Sequence, residues 1–131
     1  MLGIDTDVLV RFLGRDHETQ FSRAQRLIRR AVAGGEDVFV SLLVLLETEW
    51  VLRSRYALRK AEIMVTISGL LDAAALRFED EAAIEQTLFA WEHSDAEFAD
   101  CLIGARNRRL GCRTSATFDA KAMGLPYFVA V

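Results

Sequence analysis

Short apolar blocks alternate with longer stretches of periodic hydrophobicity along the chain. Met1–Ile4 is the first block and reads as a strand. In His17–Ala33, Phe21, Ala24, Leu27, Ile28, Ala31 and Val32 recur at helical spacing, which predicts an amphipathic helix. Gly34 and Gly35 then end it. Asp37–Val40 is β-branched and aromatic, as a buried strand should be, and Ser41 suits an N-cap for a helix running to about Arg55. Further helices are predicted over Arg59–Leu71, over Asp80–His93 with Ile84, Leu88 and Trp91 on one face, and over Glu97–Leu110. Ala75–Phe78, Arg113–Ser115 and Tyr127–Val131 read as strands. Strands separated by helices predict an α/β fold, an α/β/α sandwich around one central parallel sheet. Ligands of such sheets lie beyond the carboxyl ends of the strands.

Composition narrows the class. With 131 residues, 52% hydrophobic and 27% charged, the chain suits one domain with its own core, and the balance is that of a globular rather than a disordered chain. There is one proline, Pro126, and no linker or repeat. The longest apolar run, near Val38–Leu46, is too short to cross a bilayer, and Asp5 and Asp7 interrupt the apolar start where a leader would need it. Cys101, Cys112, His17 and His93 form no metal-binding spacing, so zinc is not expected. The two cysteines fit isolated thiols in a reducing compartment, or one disulfide. These features predict a cytoplasmic protein with no membrane partner. A net charge of -3 argues, by bulk charge alone, against binding nucleic acid.

Four acids stand where acids are costly. Asp5 ends the first strand, and apolar residues resume at Val8 with a helix. It either caps the segment Thr6–Leu13, with Asp7 in the first turn, or projects into a cleft. Glu47 shares a helical face with Leu43 and Trp50, while Glu49 is turned about 200° away. A carboxylate on that apolar face calls for a core arginine or a metal. Asp100 lies among Phe98, Cys101, Leu102 and Ala105, with Glu97 one turn before it. Stacked like charges repel unless a cation joins them, although Glu97 also suits the start of a helix. Asp119 follows a strand, as Asp5 does, and could instead form an Asx turn before Ala120–Met123. In a parallel sheet all four should converge at one end, as a hard-oxygen site for Mg²⁺ or Mn²⁺.

The motifs around these acids resemble those of the PIN-domain ribonucleases, specifically the VapC toxins of bacterial toxin–antitoxin pairs. Gly-Ile-Asp-Thr-Asp-Val-Leu-Val carries Asp5, Ser-Leu-Leu-Val-Leu-Leu-Glu-Thr-Glu-Trp carries Glu47, Phe-Ala-Asp-Cys-Leu-Ile-Gly-Ala carries Asp100, and Thr-Phe-Asp carries Asp119. The resemblance covers essentially the whole chain. It departs at Asp7, where many members have Asn, and at Glu97, where many have Asp.

The resemblance implies a PIN-like sandwich and an Mg²⁺- or Mn²⁺-dependent endoribonuclease that leaves a 5′-phosphate and a 3′-hydroxyl. Asp5, Asp100 and Asp119 would hold the principal ion and Glu47 would complete the site or serve a second ion. Thr6, Asp7, Glu97, Ser115 and Thr117 are supporting candidates, with ordinary turn and strand hydrogen bonding as the alternative for the hydroxyls. It further implies an RNA substrate, a cognate VapB-like antitoxin and a homodimer. Basic residues fall into three groups, Arg23 to Arg30, Arg53 to Lys60 and Arg106 to Arg113. The first is expected to be a solvated face. Arg53, Arg55, Arg59 and Lys60, beside the Glu47 helix, are the RNA-binding candidates. Phe21, Trp50 and Tyr56 suit either the antitoxin interface or the core.

Two rivals remain on sequence. A haloacid-dehalogenase-like phosphoryl-transfer enzyme also opens with Asp-x-Asp, but its later lysine has only Lys121 to match, beyond Asp119. A non-catalytic PIN-like binding module would leave the four acids without a purpose.

Overall fold

The computed structural model describes residues 1–14 and 16–131, and the chain divides into two units, Met1–Glu79 and Asp80–Val131. Strands β1 (Leu2–Gly3), β2 (Val38–Val40) and β3 (Leu76–Phe78) of the first unit form a parallel sheet in the order β1-β2-β3. The register sets Leu2 beside Val38 and Val38 beside Leu76. Side chains alternate as a strand requires. Val38, Val40, Leu76 and Phe78 are buried, whereas Arg77 points outward and pairs with Asp37 at 3.0 Å.

Helices α1 (Thr6–Leu13), α2 (Glu18–Ala33), α3 (Leu42–Ser54) and α4 (Lys60–Leu71) accompany this sheet. α1 packs on α2 and α3, and α3 packs on α4. Leu9, Leu45, Ile63 and Ile67 are sealed from solvent, each contributing about 1.5–3 kcal/mol of burial. α1 has the bounds that the cap reading of Asp5 gives, Thr6–Leu13, rather than a start at Val8: Oδ1 of Asp5 accepts the Val8 N–H at 3.0 Å. Ser41 caps α3 as expected, its Oγ accepting the Val44 N–H at 3.2 Å, and Glu79 Oε1 takes the Leu42 N–H at 3.2 Å.

In the second unit α5 (Glu81–Glu92) lies along α6 (Phe98–Arg109). Trp91 meets Phe98 edge-on at 5.1 Å, and both are buried. β4 (Ser115–Thr117) starts two residues later than expected. It does not extend the first sheet as a fourth strand. Its partner is β5 (Phe128–Ala130), in a parallel two-stranded sheet. Here the Ser115 N–H donates to the Tyr127 carbonyl at 2.7 Å and the Val131 N–H to the Thr117 carbonyl at 3.1 Å. A Cβ on Gly104 would run into the ring of Phe128, so this glycine is what lets β5 lie against α6. Both cysteines are free thiols, Cys101 buried and Cys112 exposed. Among the described residues no helix is long and apolar enough to cross a membrane. The architecture is the α/β class that the hydrophobic pattern predicts.

Candidate active site

Asp5 is exposed at the start of α1. One of its oxygens is spent on the helix cap, which leaves the second for a ligand. Thr6 beside it is buried, and Asp7 is exposed in the first turn, where the helix dipole favours a carboxylate. Both readings of Asp5 therefore survive together, since capping fixes the direction of the side chain without closing it off.

α3 corrects the expectation for Glu47. It does share a face with Leu43 and Trp50, but that face is exposed, with Leu43 at 78% and Trp50 at 51%. Glu47 is exposed with them. The buried acid is Glu49, on the opposite side, and it takes a two-pronged bond from Arg53 at 2.9 and 3.4 Å. α3 is apolar nearly all round, so its period could not say which side faces inward.

The same pairing changes the RNA-binding candidates. Arg53 is held by Glu49, and Arg59 is held by Glu62 at 3.2 Å in a capping box. Arg55 is exposed and Lys60 half-buried. Tyr56 is neither core nor bare surface: its hydroxyl donates to Asp16 at 2.8 Å, and Arg11 reaches the same carboxylate at 3.3 Å. A cavity of about 660 Å³ beside α1 and α2 is lined by Asp5 and Asp7 together with Arg11, Arg23, Arg26 and Arg30. Three arginines expected on a solvated face thus line the cavity that holds Asp5. Their spacing of three and four residues on one helix was the available signal.

In the second unit Asp100 stands in the first turn of α6, half-buried. Burial, and then the negative charges of Asp119 and Glu97, push its carboxyl above the usual carboxylate range. No cation counts among the groups that shift it. Glu97 occupies the N-cap position of α6, exposed and without a capping bond. Asp119 is fixed in a turn: Thr117 Oγ1 accepts its N–H at 3.0 Å, and its Oδ1 accepts the Lys121 N–H at 2.8 Å. Ser115 is buried, and its Oγ accepts Asn107 Nδ2 at 2.9 Å. Ser115 and Thr117 thus do the strand and turn bonding set out as their alternative.

Among the described residues, no three His, Cys, Asp or Glu side chains gather closely enough to hold a metal ion. The electrostatics nevertheless fit one. Burial first, and the charges of Asp119 and Glu97 after it, push the Asp100 carboxylate toward its neutral form, and a hard divalent cation beside it would offset that. Glu97 and Asp119 are both exposed.

The family model for the PIN domain matches residues 3–123, nearly the whole chain. The chain belongs to the PIN domain family. No curated protein matches its sequence. PIN domains are in general nucleases that use divalent metal ions, so the class of substrate is nucleic acid. The match runs through both units of this PIN domain. Of the four acids singled out from the sequence, Asp5 and Glu47 belong to the first unit and Asp100 and Asp119 to the second.

Proposed function

We propose that this PIN domain is an Mg²⁺- or Mn²⁺-dependent endoribonuclease and the toxin of a VapBC-type pair, in a homodimer silenced by a VapB-like antitoxin. The observation that carries the catalytic part is Asp100, whose charge is opposed by burial, Asp119 and Glu97 with no offsetting cation. On the family motifs, Asp5, Asp100 and Asp119 would hold the principal ion, Glu47 would complete the set, and Asp7 and Glu97 would be supporting acids. These residues would hold an ion whose chemistry would be to acidify a water and offset charge at the scissile phosphate. The chain's part is to aim the carboxylates. The α1 cap orients Asp5, the turn made by Thr117 and Lys121 orients Asp119, and α6 holds Asp100 half out of solvent. Water attacking in line leaves a 5′-phosphate and a 3′-hydroxyl.

The test is Mg²⁺-dependent cleavage of single-stranded RNA, with cut sites read by sequencing RNA 5′ ends after induced expression. Loss of a group that only supports a metal ligand already lowers activity about 10–100-fold. Asp100→Asn and Asp119→Asn should therefore lose more than that with their circular dichroism unchanged. Undiminished cleavage by either folded variant overturns the assignment. The toxin role predicts growth arrest on expression, relieved by the product of a short reading frame immediately upstream.

A further inference from the structure

We propose that the cavity beside α1 and α2 is a phosphodiester-binding groove in which Arg23, Arg26 and Arg30 grip the RNA backbone flanking the bond that is cut; this rests on the nuclease reading of Asp5. The groove has two kinds of wall. Asp5 and Asp7 contribute carboxylates from the start of α1, and Arg23, Arg26 and Arg30 contribute guanidiniums from α2. Arg11, the fourth basic lining residue, is engaged by Gln20 at 2.5 Å and by Asp16 at 3.3 Å. The three on α2 are not so engaged. Among the described residues none of them has an ion pair, and Arg26 Nε reaches only the Ser22 carbonyl of its own helix, at 3.4 Å.

Spacing of three and four residues puts the three on one face of α2 over about 10 Å, enough to meet successive phosphates of an extended strand. Guanidinium suits this task because its planar fork bonds two phosphate oxygens at once. Leu27 lies among them, 40% exposed, and offers an apolar surface to a ribose or base. The volume, about 660 Å³, falls within the range of about 300–1,000 Å³ that ligand sites occupy. An acidic peptide would also meet guanidiniums. RNA is favoured because the same cavity contains Asp5, so a strand lying along the arginines has a phosphate beside the candidate ligand. The arrangement also answers the charge objection. A chain of net charge -3 carries four guanidiniums against two carboxylates on this one lining.

The experiment measures binding of a fluorescent oligoribonucleotide by anisotropy in Mg²⁺, on an Asp100→Asn background that binds without cutting, across a series of KCl concentrations. Each phosphate contact to a single strand contributes about 0.7 to the slope of log K against log salt. The combined variant Arg23→Gln, Arg26→Gln, Arg30→Gln should flatten that slope by about 2. Extrapolated from about 1 M, where the charge effect vanishes, this is a loss of about a hundredfold at about 0.1 M. With Asp100 restored, KM should rise and kcat should hold within about twofold, as expected for lost uniform binding. Arg29→Gln, exposed on the same helix and off the cavity lining, should change neither. A combined variant that matches Arg29→Gln in slope and KM overturns the groove, and lost antitoxin binding with full RNA affinity overturns it in favour of a protein occupant. A wild-type chain that binds RNA with the predicted salt slope but never cuts it overturns the nuclease reading and leaves the groove standing. A wild-type chain that does not bind RNA overturns both.

Discussion

Replacing Asp80 with alanine is expected to destabilise the fold by about 3 kcal/mol, because one side chain does three things. It caps α5, with Oδ1 accepting the Ala83 N–H at 3.3 Å, and loss of such a cap costs about 1 kcal/mol. Its backbone is left-handed, at φ 55°, a conformation that costs alanine about 1 kcal/mol. It also accepts Arg106 at 2.7 Å and Arg109 at 2.5 Å, and so ties α6 to the start of α5. The Asp80 side chain is only 7% exposed, but the two arginines are 35% and 40% exposed. Solvent screening therefore brings the pairing to about 1 kcal/mol, below the 3–5 of a fully buried pair. Asparagine keeps the cap and tolerates the left-handed backbone, so Asp80→Asn should lose about 1 kcal/mol. Asp80→Gly should fall near asparagine, since glycine is nearly as good a cap and takes the backbone without strain. Urea unfolding followed through Trp91 gives the order, because this buried indole reports the packing of α5 on α6. At about 4 °C per kcal/mol, the alanine variant should melt about 12 °C early. Equal stability of the alanine and glycine variants would refute the backbone part, and an alanine variant as stable as wild type would refute all of it. The pH dependence follows from the charge. Burial raises the Asp80 carboxyl, but hydrogen bonds from Arg109, the Ala83 N–H and Arg106 outweigh it and hold it below the usual range. Its stabilisation is therefore present above the unfolded value, near 4, and is lost as pH falls through the folded one. The gap between wild type and Asp80→Asn should close in acid.

Asp100 has the opposite sign, because burial and then Asp119 and Glu97 raise its carboxyl, so its ionised form lowers stability above the folded value. Asp100→Asn should melt above wild type at neutral pH, with the advantage shrinking on acidification. Mn²⁺ at about ten times its Kd should stabilise wild type by about 1.4 kcal/mol in a thermal scan. An equal shift in Asp100→Asn would count against its role as a ligand. Asp5→Asn should abolish cleavage at unchanged Tm, since asparagine caps as well as aspartate, whereas Asp5→Ala should lose cleavage and about 1 kcal/mol besides; equal melting of the two removes the cap from the account. Gly104→Ala should lose about 1–3 kcal/mol by forcing a methyl into the Phe128 ring, and Phe128→Leu in the same chain should recover part of it, as checked by thermal circular dichroism.

The elements legible in the sequence were those with both a period and a punctuation mark. α2 has a one-sided apolar stripe and stops at Gly34, and α3 starts at the residue after Ser41, as its hydroxyl foretold. What sequence misjudged has physical causes. Glu47 and Glu49 exchanged inside for outside because Leu42 to Leu46 put apolar residues on every side of α3. The pattern puts β4 two residues early and cannot give its partner, because strand pairing is non-local and Ser115 to Thr117 say nothing about Phe128 to Ala130. For the site, the sequence singles out Asp5, Glu47, Asp100 and Asp119; in the structure Asp5 caps α1 and Asp100 lies in the first turn of α6, places that ordinary helix-end acids also take. The sequence could not show that Arg53 is held by Glu49, nor that Arg23, Arg26 and Arg30 share a cavity with Asp5. Those facts depend on how two helices pack, which one chain of letters does not encode locally.

The bond from the Val8 N–H to Asp5 has an effect on tolerance to mutation. With one oxygen accepting the Val8 N–H, the bearing of the Asp5 carboxylate is set by the axis of α1. That axis is set in turn by Leu9 and Val10, buried at 0% and 5% exposure. Under the proposed role of Asp5, trimming either residue is expected to lower turnover as well as stability, although neither touches anything reactive. Conversely, glutamate at position 5 would preserve the charge and forfeit the bearing. Volume-conserving repacking beneath α1 is therefore the change expected to move turnover with little change in melting.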